Sequence, residues 1–317
     1  MNAKPLVSIL MPAFNSESYI NEAIDSILDQ TYDNIQLIIY DDGSTDATRT
    51  LIKDYLDPRI IGIFADQNYG VVHARNVMID RAEGKYIALM DADDIAHPSR
   101  IEKQLVYLEN NFCDVIGSAQ LVLNQKTGEV KKSKDNFTDS DIRALLSVYC
   151  TLCNSSVTMR SEILKKFKYD ANFLFAEDYF LWARLAGAQY RFKNLKDRLI
   201  TYRIYPQQSS LLSKERSNMA SMSVRRQYLE MLGISAKFTP QPMAIYSRLR
   251  LGVGLIGLLN QQFSGISFRA NCEIYARFQS RNNAILSIMQ RLERVIIGVI
   301  CLVSARLLRF KDRYHLR

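Results

Sequence analysis

The chain has 317 residues, 48% hydrophobic and 23% charged, which supplies a large core and excludes a disordered protein. Its net charge of +8 is uneven, because from Pro240 onward twelve Lys/Arg stand against three Asp/Glu, whereas the first 239 residues carry 29 against 30. The basicity belongs to the tail, where few aromatic residues interleave with the arginines, so a nucleic-acid-binding module is disfavoured.

In chain order, β-rich runs at residues 6–12, 35–40, 60–64 and 86–90 alternate with helical patterns at 17–30, 47–56 and 71–83. The first helical pattern places Ile20, Ala23, Ile24, Ile27 and Leu28 on one face. This alternation predicts an α/β fold with a parallel sheet. Ser16 and Asp46 are the expected helix N-caps, since their side-chain oxygens can accept the first free backbone N–H groups. Further on, the expectation is a strand at 114–123, a polar loop at 126–141, a strand at 155–159, a helix at 179–186 and a late strand at 198–202. No internal repeat or low-complexity segment is visible.

Three polar loops fall at the carboxyl ends of expected strands: Pro12-Ala13-Phe14-Asn15, Asp41-Asp42-Gly43-Ser44-Thr45-Asp46 and Asp91-Ala92-Asp93-Asp94. In open α/β sheets ligands collect beyond those ends, near a topological switch point. The last loop follows a buried apolar run, and an unpaired carboxylate there costs several kcal/mol or more, so a cation is expected to meet it. Taken alone, the same run also reads as turn and cap residues. The three histidines, His73, His97 and His315, are scattered, so a metal would be held by oxygen ligands, which favours Mg2+ or Mn2+ over zinc.

Gly43 suits a tight strand-to-helix turn, and one of the two carboxylates beside it could accept a hydrogen bond from a base or a ribose hydroxyl. Asn68-Tyr69-Gly70 sets Gly70 at a helix start, with Arg75 inside that helix free to pair with carboxylate or phosphate. The five cysteines are odd in number and irregular in spacing, which suits a reducing compartment. Cys150 and Cys153 form a C-x-x-C that has no second pair to complete a zinc site.

Together these residues carry a resemblance. Val7 to Asn15, the Asp41 turn, Asn68-x-Gly70 with Ala74-Arg75-Asn76, Asp91-Ala92-Asp93-Asp94 and Glu177-Asp178 resemble glycosyltransferase family 2, inverting enzymes of the GT-A fold. The likeness covers residues 6–210, about two-thirds of the chain. It implies a mostly parallel nucleotide-binding sheet flanked by helices, with residues 1–125 binding the nucleotide sugar, 126–212 the acceptor, and 213–317 forming a helical, basic extension. Carried over by similarity, Pro12, Ala13 and Asn15 line the nucleotide pocket with Asn68 and Ala92. Asp42 reads the base, Arg75 supports the nucleotide edge, Asp91 approaches the ribose, and Asp93 ligates a metal that bridges the diphosphate. Of Glu177 and Asp178, the second is the implied general base.

The late stretch Tyr202-Arg203-Ile204-Tyr205-Pro206-Gln207-Gln208-Ser209-Ser210 looks like the family's Y-R-x-H-x-x-Q-x-S run, with Tyr205 at the histidine position. Arg203, Tyr205 and Ser210 are the late-loop candidates. A Q-x-x-R-W run of processive polymerases is absent, so one sugar per binding event is expected. The implied partners are a nucleotide-sugar donor, with UDP the expected carrier, and a saccharide or lipid-linked saccharide acceptor of lipooligosaccharide, capsule or O-antigen assembly. A catalytically silent scaffold of the same fold is the alternative, and intact Asp93 and Asp178 argue against it.

The N-terminus runs into a strand-like segment without a secretory pattern, so a cytoplasmic location is expected. In the tail, Ile285, Ile288, Met289, Leu292, Val295, Ile296, Val299, Val303 and Leu307 follow helical spacing, with Arg291, Arg294 and Arg309 opposite. The apolar stretch at 295–305 is too short to span a bilayer, as is the run at 251–259. Two readings remain: a basic helix on the inner face of the membrane, or a helix packed on the protein's own core or in a homo-oligomer.

Overall fold

The computed structural model describes residues 4–133, 137–208, 212–234 and 245–279. Its strands are β1 (Val7–Ala13), β2 (Ile35–Asp41), β3 (Ile60–Phe64), β4 (Tyr86–Leu89), β5 (Ile95–Ala96), β6 (Val115–Asn124), β7 (Val130–Lys132), β8 (Thr158–Arg160) and β9 (Phe192–Ile204). The helices are α1 (Ile20–Leu28), α2 (Thr48–Lys53), α3 (Val71–Arg81), α4 (Arg100–Glu109), α5 (Asp139–Leu145), α6 (Ser161–Phe167), α7 (Glu177–Gly187), α8 (Lys214–Met231), α9 (Ile245–Gln262) and α10 (Phe268–Gln279).

The strands lie in one sheet of order β3-β2-β1-β4-β8-β6-β9-β5, with β7 on β6. β3, β2, β1 and β4 are mutually parallel, with Val7 level with Ile35 on one side and Tyr86 on the other. Burial on both faces explains the composition of β1, β2 and β4, and every residue of β2 is buried, whereas β3 at the sheet edge is only partly buried. Val7, Ile9 and Met11 of β1 share an apolar cluster with Leu37 and Ile39 of β2, Ile20, Ala23, Ile24 and Ile27 of α1, and Ile101, Leu105 and Leu108 of α4. The residues between, such as Leu10 and Ile38, are buried as well, and α3 packs on β1 and β2 through Val72, Ala74, Met78 and Ile79.

The expectation of a mostly parallel sheet holds for these four strands and needs correction beyond them. β8 runs antiparallel to both β4 and β6, β5 is antiparallel to β9, and β7 to β6; of the later pairs only β6–β9 is parallel. The expected loop at 126–141 contains β7 and the start of α5, which carries a Thr138–Asp141 capping box. Ser16 is not a cap: its hydroxyl donates to the Phe14 carbonyl, and α1 begins after Tyr19. Asp46 does accept the Thr48 N–H at 3.0 Å, and also that of Glu17 at 3.1 Å.

The chain divides into two compact units, Met1–Asn136 with Leu152–Ala220, and Phe137–Thr151 with Ser221–Arg317. The first holds the sheet. Within the second, the Tyr228 hydroxyl donates to the Arg143 carbonyl, Asn260 donates to Asn271, and the Ser267 N–H caps onto Asp141 at 2.7 Å.

The strand order places β1 between β2 and β4, so the order of connection reverses there and the topological switch point lies at the carboxyl ends of β1 and β4. Those ends carry Pro12 to Asn15 and Asp91 to Asp94.

Candidate active site

At the β1–β2 edge, side chains stitch successive loops together. Asn15 adopts φ 48°; its N–H donates to Ser44 Oγ at 3.0 Å, and its Oδ1 accepts the Thr45 N–H at 2.9 Å. Pro12 and Ala13 sit in register with Tyr40 and Asp41. Asp42 is buried and accepts two backbone donors at 2.8 Å, Tyr69 N–H on Oδ1 and Gly70 N–H on Oδ2. Its carboxylate therefore ties the turn after β2 to the segment that starts α3, and each oxygen retains a lone pair. Gly43 is required in that turn: φ is +71°, and a Cβ would fall 2.4 Å from the Gln67 carbonyl carbon. Asn68 is exposed next to this contact.

Asp91 leaves the end of β4 and gathers three donors: Arg75 Nη2 at 3.0 Å and Asn154 Nδ2 at 3.4 Å on Oδ1, and Ser155 Oγ at 2.8 Å on Oδ2. Ala92 is buried. Asp93 Oδ2 accepts the Tyr205 hydroxyl at 2.9 Å, and burial with the nearby Asp91 charge pushes its pKa up to about 6. Asp94 is fully buried and accepts the Arg203 N–H at 3.1 Å; burial and its acidic neighbours raise its pKa well above the usual carboxylate value. Three carboxylates in four residues repel one another, so cations nearby matter.

Cations near this loop offset that repulsion. Arg75 pairs with Asp91, and the Arg203 charge favours the ionised form of Asp93. Arg100 also lies close enough to feel Asp91 and Asp94; it is wholly buried and donates to the Leu89 carbonyl at 2.8 Å, the Val157 carbonyl at 3.3 Å and Gln104 Oε1 at 3.3 Å. Burial lowers its pKa to about 10, which leaves it charged at neutral pH.

Arg75 also joins this loop to α7. Its Nη1 meets Glu177 Oε1 at 2.7 Å while its Nη2 holds Asp91, and its guanidinium lies 5.1 Å from the centre of the Tyr169 ring. It is therefore not on a solvated helical face. The Tyr169 hydroxyl in turn donates to Asn154 Oδ1 at 3.0 Å, and Asn76 exchanges two 2.9 Å hydrogen bonds with the Tyr169 backbone. Glu177 and Asp178 occupy the first turn of α7, where the helix dipole favours negative charge. Burial, followed by the Glu177 charge, pushes the Asp178 pKa up to about 6, against the pull of Arg75.

Sequence reasoning did not single out Asn154, Ser155, Tyr169 or Arg100. The run Asn154-Ser155-Ser156 is buried beside β8. Three consecutive polar residues running into the short strand Thr158-Met159-Arg160 carry no apolar pattern, so the sequence held little signal for them; once buried they need hydrogen-bond partners. Among the late-loop candidates, Tyr205 reaches the acidic loop directly. Arg203 reaches it through its backbone, while its guanidinium pairs with Glu22 and Gln125 and lies over the Tyr19 ring. Ser210 lies outside the described residues. Cys150 and Cys153 are not joined in a disulfide, and burial raises the Cys153 pKa well above the usual thiol value, so it is poorly suited to thiolate chemistry. Among the described residues, no group of three or more His, Cys, Asp or Glu could by itself hold a metal ion.

Comparison with known proteins agrees with this architecture. The Glycosyl transferase family 2 profile matches residues 8–168. An uncharacterized glycosyltransferase of Haemophilus influenzae is 33% identical over 257 residues, covering 74% of this chain and 77% of the relative. The Escherichia coli protein WfgD, a UDP-Glc:alpha-D-GlcNAc-diphosphoundecaprenol beta-1,3-glucosyltransferase, is 32% identical over 56% of this chain and 68% of its own. In fold, the chain is similar to S. aureus TarS in complex with UDP-GlcNAc, at TM-score 0.57 and 17% identity over 86% of each chain. It is also similar to the mannosyltransferase PcManGT from Pyrobaculum calidifontis in complex with GDP-Man and Mn2+, at TM-score 0.53 and 15% identity over 100% and 89% of the two chains. With the acidic loop at the switch point and a carboxylate pair opening α7, these likenesses identify the chain as a member of glycosyl transferase family 2, an enzyme that moves a sugar from a nucleotide-sugar donor to an acceptor.

Proposed function

We propose that the enzyme transfers one sugar per binding event with inversion, that Asp178 is the general base, and that Asp93 holds a divalent cation on the donor diphosphate. The observation that carries this reading is the different use of the two adjacent carboxylates. Glu177 is the partner of Arg75 at 2.7 Å, whereas Asp178 has its proton affinity raised to a pKa of about 6. At neutral pH it is mostly ionised yet more basic than an ordinary carboxylate, which suits a proton acceptor. Asp178 would take the acceptor hydroxyl's proton as its oxygen bonds to the anomeric carbon and the bond to the diphosphate breaks. A single displacement of this kind inverts the configuration.

The residues fit a hard cation. The donors on the acidic loop are carboxylate oxygens, and a cation that already carries diphosphate oxygens needs only one or two of them. When bound, Mg2+ or Mn2+ would neutralise the charge that develops on the leaving diphosphate. The buried Asp93 carboxylate is displaced toward its neutral form, and a cation beside it would restore the charged form. Pro12, Ala13, Asn15, Asp42, Asn68 and Ala92 form the nucleotide side of this reading, and Asp91, oriented by Arg75 and Ser155, its ribose side.

A UDP-sugar donor and a lipid-linked saccharide acceptor at the inner face of the membrane, in surface-polysaccharide assembly, complete this reading, supported by the likeness to WfgD and by the basic tail. Turnover and donor dissociation constants of Asp178→Asn and Glu177→Gln test the assignment of the base. Asp178→Asn should lower turnover by about 10²-fold or more with donor affinity nearly constant, and Glu177→Gln should cost less. Near-normal turnover in Asp178→Asn with severe loss in Glu177→Gln would move the role to Glu177.

A further inference from the structure

We propose that Tyr205 is a positioning residue for the cation site: its hydroxyl orients the Asp93 carboxylate, and the end of β9 thereby sets the acidic loop from the far side of the sequence. The inference rests on the reading of Asp93 as the cation ligand.

The contacts run through one continuous set of residues. Tyr205 follows the last residue of β9 and donates to Asp93 Oδ2 at 2.9 Å. Two residues earlier, the Arg203 N–H holds Asp94 Oδ1 at 3.1 Å, so successive carboxylates of the loop take their donors from the same short segment. That segment is itself fixed. Gln208 donates its backbone N–H to the Tyr205 carbonyl at 3.1 Å, and its side-chain amide to the Arg203 carbonyl and the Tyr202 hydroxyl, each at 3.0 Å. From α1 and the residue before it, Glu22 pairs with the Arg203 guanidinium, and the Tyr19 ring packs against Tyr205 at 4.8 Å between centroids and under Arg203 at 5.2 Å. Tyr205 therefore reaches Asp93 from a ring and a backbone that are both held in place.

A phenol at this position does something specific. It donates one hydrogen bond to the carboxylate, and as a neutral group it adds no charge to the site. The hydroxyl thus orients one carboxylate oxygen without introducing a second charge. Hydrogen-bond partners of ligating carboxylates are worth about 10–100-fold in metal affinity when removed.

The test is Mn2+ affinity for the UDP-saturated protein, read from the electron paramagnetic resonance signal of free Mn2+, together with UDP affinity without metal and the melting temperature. Tyr205→Phe keeps the ring on Tyr19 and removes only the hydroxyl; it should weaken Mn2+ binding about ten-fold, with metal-free UDP binding and melting temperature unchanged. Tyr205→His, which keeps a donor, should retain most of the affinity. Wild-type Mn2+ affinity in Tyr205→Phe would overturn the proposal. So would a loss in Tyr205→His as large as in Tyr205→Phe at unchanged melting temperature. Asp93→Ala separates this from the parent reading: if that variant binds Mn2+ normally, Asp93 is not the ligand, whereas loss in Asp93→Ala with no change in Tyr205→Phe removes Tyr205 alone.

Discussion

Arg75 holds Asp91 and Glu177 on the two arms of one guanidinium, so the end of β4 and the start of α7 are fixed to each other through a single buried side chain. Breaking such a pair leaves an uncompensated buried charge, which costs more than the pair itself contributes. The neighbouring Asp178, with a pKa raised to about 6, gives a pH signature with a definite sign. A base must be ionised to act, so kcat/KM should fall by at least about ten-fold per pH unit below pH 6, and the fall should be shallower in the residual activity of Asp178→Asn, where only the proton uptake of Asp93 remains. Stability runs the other way. A carboxylate whose folded pKa lies above its unfolded value adds stability that is fully present below the unfolded value near 4 and is lost as pH rises through about 6. Asp178→Asn should therefore be more stable than the wild type at pH 7.5, by on the order of 1–2 kcal/mol, with the difference shrinking toward pH 4. Urea midpoints at the two pH values measure it, and a difference that does not change with pH would contradict the burial of a charged Asp178.

At the scale of elements, the turn after β2 depends on a close approach that only glycine allows. Gly43→Ala would place a methyl 2.4 Å from backbone at φ +71°, so the turn must shift and Asp42 must lose its hold on Tyr69 and Gly70. We expect a destabilisation of about 1–3 kcal/mol together with weaker nucleotide binding, checked by thermal unfolding and UDP titration. β1, β2 and β4 were legible because parallel strands buried on both faces read as largely apolar runs, and the partly exposed edge strand β3 through its β-branched Ile60, Ile61 and Ile63. α4 was not, because its inward face carries Arg100 and Gln104, which break the apolar period. β9 was foreseen only at residues 198–202; its first half is Lys193, Asn194, Lys196 and Asp197 around Leu195, and the pairing with β6 is irregular at Ser118 and Ala119. The two-residue β5 is too short for any pattern to register. Of the site, the acidic loop, Arg75 and the Glu177–Asp178 pair were visible as motifs. The partners that orient them, Asn154, Ser155 and Tyr169, come from distant segments whose meeting is set by the packing of β8 and α6 against the sheet and α3.

For the whole molecule, charge and apolar surface divide differently along the chain. The apolar run at 251–259 falls in α9, where Leu255, Ile256 and Leu259 are buried, so it serves packing within the second unit. Among the described residues, no helix is long and apolar enough to cross a membrane. The tail helix expected from Ile285 to Leu307 lies outside the described residues, and its role is argued from sequence: twelve Lys/Arg against three Asp/Glu from Pro240 onward, with arginines opposite an apolar stripe. Each basic residue near an anionic surface contributes about 1 kcal/mol, and salt screens that attraction over a Debye length of about 8–10 Å. If the tail brings the enzyme to a lipid-linked acceptor, the full chain should bind vesicles containing anionic phosphatidylserine at low salt and be released as salt rises. Removing residues 285–317 should abolish that binding and spare hydrolysis of a soluble donor, since the residues assigned to donor chemistry lie in the first unit. A full-length protein that ignores anionic vesicles at low salt would instead assign the stripe to packing or self-association, which sedimentation of the full and shortened chains would then reveal.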